Sequence, residues 1–480
     1  MTEPTAAPID LAVVGHTNTG KTSLLRTLLR DPDFGEVADQ PGTTRHVGSA
    51  QLLTEDGLPI LILRDTPGLE DSMAVLDTID RLVGPDERPD GPERIHRLLE
   101  DPQATRRFEQ EARVLTTVLR CDAALYVIDV RDPVLAKHRD ELSLLAACGR
   151  PVLPVLNFTH SADSQADAWR DALARLGLHA TVDFDTVAPA LDGEAQMIDR
   201  LALMLDRRAD TLARLRADLD AQRQRRRQDA ARLIAELLMD AAALRLPCAQ
   251  DSTDIAAATA DLRKRTRKRE QQCVQALLKR YRFSKDTIAR HPLPLEGERW
   301  GMDLFNPQAL AAFGIQVGKG MVTGAVAGAT IDAFTGGLSL GAATLLGATV
   351  GGLWQGANQW GKRLMGRIAG HLEITVDDPV LQLLGLRQLA LARALERRGH
   401  AAWQPMDGSL LAPPADTPAA DGGPTAAKTP TGPALPEAIR PILREARGHP
   451  EWSSIGDASA ADPRRDVLIG RLAAILDAEL

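Results

Sequence analysis

Gly15-His16-Thr17-Asn18-Thr19-Gly20-Lys21-Thr22 follows an apolar run, Leu11 to Val14, and opens a helical pattern from Thr22 to Leu29. A strand, a glycine-bounded loop and a helix in that order make the setting a phosphate-gripping turn needs. Two glycines let the backbone wind tightly, so that successive N–H groups point inward at phosphate oxygens. The start of the following helix adds roughly half a positive charge. Lys21 is a mobile point charge able to reach the outer phosphates of a polyphosphate, and the Thr22 hydroxyl can join the shell of a Mg²⁺ ion. The phosphate-binding set is therefore Gly15, His16, Thr17, Asn18, Thr19, Gly20, Lys21, Thr22 and, on the same turn, Ser23. The competing reading is a chance match in a glycine-rich loop, and the flanking strand and helix argue against it.

Outward from this loop, Ile9 to about Val187 alternates short apolar runs with helical stretches, the pattern of an α/β domain with a mainly parallel sheet. Strands are expected at Leu11–Val14, Ser49–Leu53, Ile60–Arg64, Ala123–Ile128, Val152–Leu156 and Thr181–Phe184. The charged insert from Ser72 to Asp101 reads as helices and loops. Asp65-Thr66-Pro67-Gly68 ends the third strand. Its carboxylate is placed to hold Mg²⁺, and the Gly68 N–H to touch a terminal phosphate and register its loss. Pro41-Gly42-Thr43-Thr44-Arg45 lies where a mobile loop would sit. Thr44, or failing it Thr43, offers a second hydroxyl to the metal. The metal set is thus Thr22, Thr44 and Asp65.

These three motifs together resemble the translation-factor-related GTPases of the Era, Der and MnmE type, over roughly the first 190 residues. The resemblance implies GTP and GDP as ligands, Mg²⁺ as cofactor, and hydrolysis carried by Lys21, Asn18, Thr44 and Gly68. In that family a hydrophobic residue replaces the water-positioning glutamine, and here Leu69 holds that position. Relatives with an asparagine matching Asn18 can use K⁺ as an extra positive charge. Slow intrinsic hydrolysis, stimulated by K⁺ or by homodimerisation, is the implied behaviour. His46 departs from the usual aspartate. A larger departure concerns the base, which the family reads with Asn-Lys-x-Asp after the fifth strand. The equivalent stretch is Asn157-Phe158-Thr159-His160. Asn157 survives, Phe158 can stack on a base, and His160 stands where the carboxylate is expected. Losing that carboxylate removes about 1–3 kcal/mol of selectivity, so guanine over adenine rests on resemblance. Asp185, in the next loop, is a candidate substitute acceptor, with a plain strand end as the alternative. The variant motif plus a long extension also resembles bacterial GTPases with an uncharacterised C-terminal domain.

At 480 residues the chain has room for two to four domains. A net charge of −8 gives no global electrostatic case for nucleic acid. Cys121, Cys148, Cys248 and Cys273 form no close pair, and the N-terminus has neither a basic start nor an apolar signal core. A cytoplasmic setting follows, with attachment at the cytoplasmic membrane as the variant discussed below. His16, His96 and His371 show no metal-ligand spacing.

Beyond the first domain (1–192) the sequence is mainly helical. Residues 193–300 carry leucines at helical spacing and two basic clusters, Arg223–Arg227 and Arg263–Arg269. Each cluster reads as an RNA or acidic-lipid contact or as a solvated helix face. Residues 301–370 hold a Gly-rich apolar stretch, Phe313 to Trp360, with Gly320, Gly324 and Gly328 four apart and Asp332 its one charge between Gly320 and Gly361. Four-residue spacing makes a groove for close helix approach. Two helices in a hairpin are expected, the second, Leu338 to Trp360, reaching ~34 Å, enough for a bilayer core. Residues 313–360 thus offer a contact with a membrane surface or bilayer; a soluble, glycine-grooved hairpin is the alternative. Residues 371–404 read as a helical segment, 405–436 as a disordered linker and 437–480 as a helical tail. The expected function is a nucleotide-driven switch acting on this helical region. The alternatives are a membrane scaffold with little hydrolysis or an RNA- or ribosome-associated GTPase.

Overall fold

A computed structural model describes residues 7–30, 48–53, 59–84, 86–186, 189–190, 192–249, 251–283, 295–296, 299–300, 303–306, 309–310, 315, 329–332, 372–397, 434–457 and 460–480. Its chain divides into two compact units. One comprises Met1–Gln224 with Glu396–Gln404, the other Arg225–Leu395 with Pro405–Leu480.

The first unit is built on a six-stranded sheet. Its strands are β1 (Ile9–Val14), β2 (Gly48–Leu53), β3 (Pro59–Asp65), β4 (Ala123–Asp129), β5 (Val152–Asn157) and β6 (Val182–Asp183), in the order β2-β3-β1-β4-β5-β6. All neighbours pair in parallel except the edge pair β2–β3. β4 and β5 are buried at every position, as continuous apolar strands covered on both faces must be. One face is covered by α2 (Ser72–Leu82), α3 (Gly91–Glu100), α4 (Pro102–Arg107), α5 (Glu109–Arg120), α6 (Ala136–Ala147) and α7 (Ala166–Arg175), which contribute Val75, Ile95, Ala104, Leu115, Leu145 and Trp169. The other face receives Leu24 and Leu25 of α1 (Lys21–Leu29), Met197, Ile198 and Leu201 of α8 (Gly193–Met204), and Leu212 and Leu215 of α9 (Ala209–Ala243). The unit therefore runs past the boundary expected at 192, because α8 and the start of α9 complete its core. The charged insert becomes short helices started by acidic caps. Asp71, Asp90 and Asp101 accept from backbone amides of the helices that follow them.

The second unit gathers the remainder of α9, α10 (Ser252–Arg280), α11 (Asp378–Arg397), α12 (Ile439–Arg447) and α13 (Pro463–Asp477) around one apolar cluster that includes Leu237, Leu277, Leu384, Trp452 and Leu472. It is not wholly helical. β7 (Arg245–Cys248), β10 (Ala329–Asp332) and β11 (Leu372–Val376) form an antiparallel sheet in the order β10-β11-β7, and β8 (Leu295–Glu296) pairs with β9 (Arg299–Trp300). β10 lies where the first, shorter helix of the Gly-rich hairpin was expected to be interrupted by Asp332, and makes that stretch a strand. Thr330 and Ile331 are β-branched, and their backbone pairs with Thr375 and Ile374 of β11. Most of Phe313–Trp360, the linker 405–433 and the loop 31–47 lie outside the described residues. Among the described residues, no helix is long and apolar enough to cross a membrane.

Several arginines of the basic clusters pair with acidic residues of their own unit, while Lys264 and Lys268 stay exposed. Arg269 and Arg465 both bind the buried Asp240, Arg265 binds Asp261 and Asp457, Arg267 binds Asp303, and Arg227 faces Asp477. This favours the solvated-face reading over a nucleic-acid contact. The four cysteines are free thiols and buried.

Candidate functional site

β1 stops at Val14, and α1 starts at Lys21, so the loop between them sits at the carboxyl ends of the central strands. Its winding depends on backbone that side chains disfavour. Gly20 has φ 92°, and a Cβ there would drive into the Asn157 amide, while Asn18 takes φ 65° at the exposed tip. Lys21 is buried and folded back on the loop, donating to the carbonyls of Gly15 (3.1 Å) and His16 (2.7 Å). Burial pushes its ammonium down to about 8, against the pull of Asp65, Glu141 and Glu70. Thr19 closes the turn by donating to the His16 carbonyl.

Thr22 Oγ1 donates to Asp65 Oδ2 at 2.7 Å, joining the first turn of α1 to the end of β3. The other carboxylate oxygen, Asp65 Oδ1, is buried and has no hydrogen-bond partner among the described residues. Burial raises the Asp65 carboxyl, opposed by the Thr22 hydroxyl and Lys21. A buried, unmatched carboxylate oxygen beside a hydroxyl is a hard oxygen donor set that fits a small divalent cation such as Mg²⁺. Thr44, the third expected ligand, lies outside the described residues, as does Thr43.

The segment after Asp65 is docked on the phosphate loop. Thr66 donates to the Val13 carbonyl (2.8 Å), Leu69 N–H to the Gly15 carbonyl (3.2 Å), and Thr17 Oγ1 to Glu70 (3.1 Å). A Cβ on Gly68 would lie 2.8 Å from both Cα and N of Thr17, so only glycine allows this approach. Leu69 is fully buried in the apolar core and offers no group to a water molecule. Glu111 of α5 accepts from the backbone N–H of Glu70 and Asp71, pinning the segment from the far side.

The other rim of the loop is made by the end of β5. Asn157 is fully buried; it donates to the Thr19 carbonyl (3.0 Å) and accepts from Phe158 N–H and Thr186 N–H (both 2.9 Å). It is a tether joining three loops. Phe158 adopts φ 62° and carries the Arg131 guanidinium 3.9 Å over its ring, with Arg131 itself held by Asp129. Asp185 is buried, and its Oδ2 accepts from the His160 backbone N–H and lies 3.2 Å from His160 Nδ1. His160 is 67% exposed.

Sequence reading missed a further group behind the loop. His16 Nδ1 meets Glu141 at 2.8 Å, Tyr126 donates to the same carboxylate at 2.7 Å, and Lys137 Nζ lies 2.9 Å from His16 Nε2. A Lys ammonium only donates, so Nε2 accepts and the Nδ1 proton faces Glu141. Burial and Glu141 hold the Tyr126 hydroxyl well above its ordinary range. Glu141 and Glu111 sit among ordinary charged helix residues, and no local pattern distinguishes them.

Two family models match the chain, and the boundary between them falls inside the first compact unit. The model of a domain of unknown function (DUF3482) matches residues 170–474, more than half of the chain. The chain belongs to the DUF3482 family. The 50S ribosome-binding GTPase model matches residues 10–158, so this family member carries an Era/Der-like P-loop GTPase domain at its N-terminal end. The GTPase Der of Akkermansia muciniphila is 29% identical over 155 residues, 32% of this chain and 27% of that protein. The GTPase Der of Proteus mirabilis is 26% identical over 155 residues, 32% of this chain and 25% of that one. The chain thus spans only 27% and 25% of the length of these relatives. A solved structure of an Aquifex aeolicus Era variant bound to GDP and AlF4⁻ is 18% identical, covering 40% of this chain and 56% of that one at a TM-score of 0.28.

Proposed function

We propose that the first unit binds GTP with Mg²⁺, hydrolyses it to GDP and phosphate, and uses the cycle to switch the helical second unit. The observation that carries this reading is the Thr22–Asp65 pair, with an orphaned buried carboxylate oxygen, beside the buried ammonium of Lys21. In this arrangement Lys21 spends its donors on loop carbonyls, and a triphosphate offers stronger, charged acceptors in their place. Thr22, Asp65 and Thr44 are the residues to hold Mg²⁺. When bound, the cation supplies positive charge against the outer phosphate oxygens.

With Leu69 buried, the residue directly after Gly68 offers no group to orient water. Catalysis then rests on preorganised charge: Lys21, the loop N–H groups and the Gly68 N–H, which stabilise charge developing on the transferred phosphoryl group. Such a site is slow on its own, and Asn18, exposed at the loop tip, is the proposed holder of a stimulating K⁺. Contact of 313–360 with a membrane, and homodimerisation, stay further proposals for the uses of the switch.

Phosphate release from the full chain tests the reading. Lys21→Ala is expected to lower the rate by ~100-fold or more, and replacing Na⁺ by K⁺ to raise it in the wild type. Equal rates for wild type and Lys21→Ala would remove hydrolysis from the account, and indifference to K⁺ would remove the role of Asn18.

A further inference from the structure

We infer that Glu141 and Lys137 of α6 are positioning residues of the phosphate loop, acting on it through the side chain of His16. This inference rests on the nucleotide reading above and names residues outside the three motifs that hold the empty loop ready for a triphosphate. Glu141 and Lys137 stand four apart on one face of α6. Glu141 is buried and bridges two elements. Its Oε1 accepts from His16 Nδ1 at 2.8 Å, and its Oε2 accepts from the Tyr126 hydroxyl of β4 at 2.7 Å. Lys137 donates to the other ring nitrogen, Nε2, at 2.9 Å. His138 meets the His16 ring edge-on at 6.0 Å, and the buried Trp169 backs His138 at 4.8 Å. Both nitrogens of His16 are thus engaged, and the ring cannot turn without losing two hydrogen bonds.

The fixed ring in turn fixes the part of the loop that carries the charge. The His16 carbonyl accepts from Lys21 Nζ at 2.7 Å and from Thr19 Oγ1 at 3.0 Å, so two loop side chains converge on one peptide group. The His16 backbone also pairs with Leu69, whose N–H donates to the Gly15 carbonyl. Turning that peptide moves Lys21, the loop closure and the segment after Gly68 together. A loop fixed before its ligand arrives loses less conformational entropy on binding. That gain favours bound substrate and transition state alike, so the anchor acts on KM and leaves the chemical step alone.

The test is steady-state hydrolysis of Mg²⁺-GTP by the full chain and three variants, at a temperature where circular dichroism shows each to be folded. Glu141→Ala leaves the His16 and Tyr126 donors without their acceptor, and should raise KM by ~10-fold with kcat within about twofold of wild type. Glu141→Gln keeps an acceptor for His16 and removes only the charge that Glu141 directs at Lys21; it should return KM to within about threefold of wild type. Lys137→Met, at a half-buried side chain, should raise KM by ~3-fold with an unaltered melting temperature. An unchanged KM in Glu141→Ala, a fall in kcat alone, or a KM that Glu141→Gln fails to restore overturns the assignment. A wild-type KM in Lys137→Met removes Lys137 from it. A second readout needs no nucleotide: hydrogen exchange at the Leu69 amide of the empty protein should quicken in Glu141→Ala and not in Glu141→Gln. Equal exchange in wild type and Glu141→Ala overturns the anchor whatever the kinetics. Absence of GTP binding by the wild type overturns the nucleotide reading, and this inference falls with it even where the exchange result holds.

Discussion

Lys21 is the residue on which the chemistry turns, and its burial makes a pH prediction. Its ammonium is pushed down to about 8 in the folded chain, from an ordinary value of 10.5. Between those values the unfolded chain holds a proton that the folded chain has lost, so stability rises as pH climbs from about 8 to 10.5. In urea titrations of the nucleotide-free protein, the stability of the wild type relative to Lys21→Met should rise across that range, on top of the fall that the buried thiols of Cys121, Cys148 and Cys273 impose on both proteins above about pH 9; parallel slopes for the two proteins would contradict the burial argument. Thr22→Ala leaves the Asp65 carboxylate buried without its hydroxyl donor and should cost about 1–3 kcal/mol by the same titration at neutral pH. Both residues were legible in sequence because glycines, lysine and threonine at this spacing, between a strand and a helix, serve little besides phosphate binding. Glu141, Glu111 and the His160–Asp185 pair were not, since each acts across 25 residues or more of intervening chain. Asp185 was legible as a carboxylate near the base, but its partner needed the fold.

At the scale of elements, the segment from Asp65 to Asp71 is held between the phosphate loop and α5. Gly68→Ala forces it off Thr17 and should cost about 1–3 kcal/mol in folding stability, measured by denaturant titration. Glu111→Ala removes the acceptor of two backbone N–H groups, so hydrogen exchange at the amides of Glu70 and Asp71 should speed up while α5 keeps its protection. Unchanged exchange there would mean the carboxylate is dispensable. In the second unit, Glu270 of α10 and Arg387 of α11 meet as a buried pair over Trp300. Burial lifts the Glu270 carboxyl from 4.5 up to about 7 despite Arg387. Here the folded chain keeps a proton that the unfolded chain has released, so stability falls as pH rises from about 4.5 to 7. Urea titrations should show a shallower slope in Glu270→Gln, with the part due to Asp377, lifted by burial to about 6, remaining. The strands of this unit escaped sequence reading for a physical reason: β7, β10 and β11 are four or five residues long and come from 245, 329 and 372, amid helical periodicity.

For the whole molecule, the α/β unit was legible because parallel buried strands alternate with amphipathic helices in chain order. The second unit was legible only as helix-rich, since its core joins segments hundreds of residues apart, as the Asp240 contacts to Ser453 and Arg465 illustrate. A switch predicts that the two units respond together: hydrogen exchange in α10 and α11 should differ between the GTP-bound and GDP-bound chain. Identical protection in both states would reduce the protein to a nucleotide-binding module with an indifferent extension. The central claim is that the Gly15–Thr22 loop, completed by Asp65, grips a magnesium-bound purine triphosphate. Calorimetric titration of Mg²⁺-GTP into the intact chain tests it most directly. The account predicts a saturable one-to-one isotherm for the wild type, weakened by ~100-fold or more in Lys21→Ala; no heat in the wild type, or the same isotherm in both proteins, would contradict it.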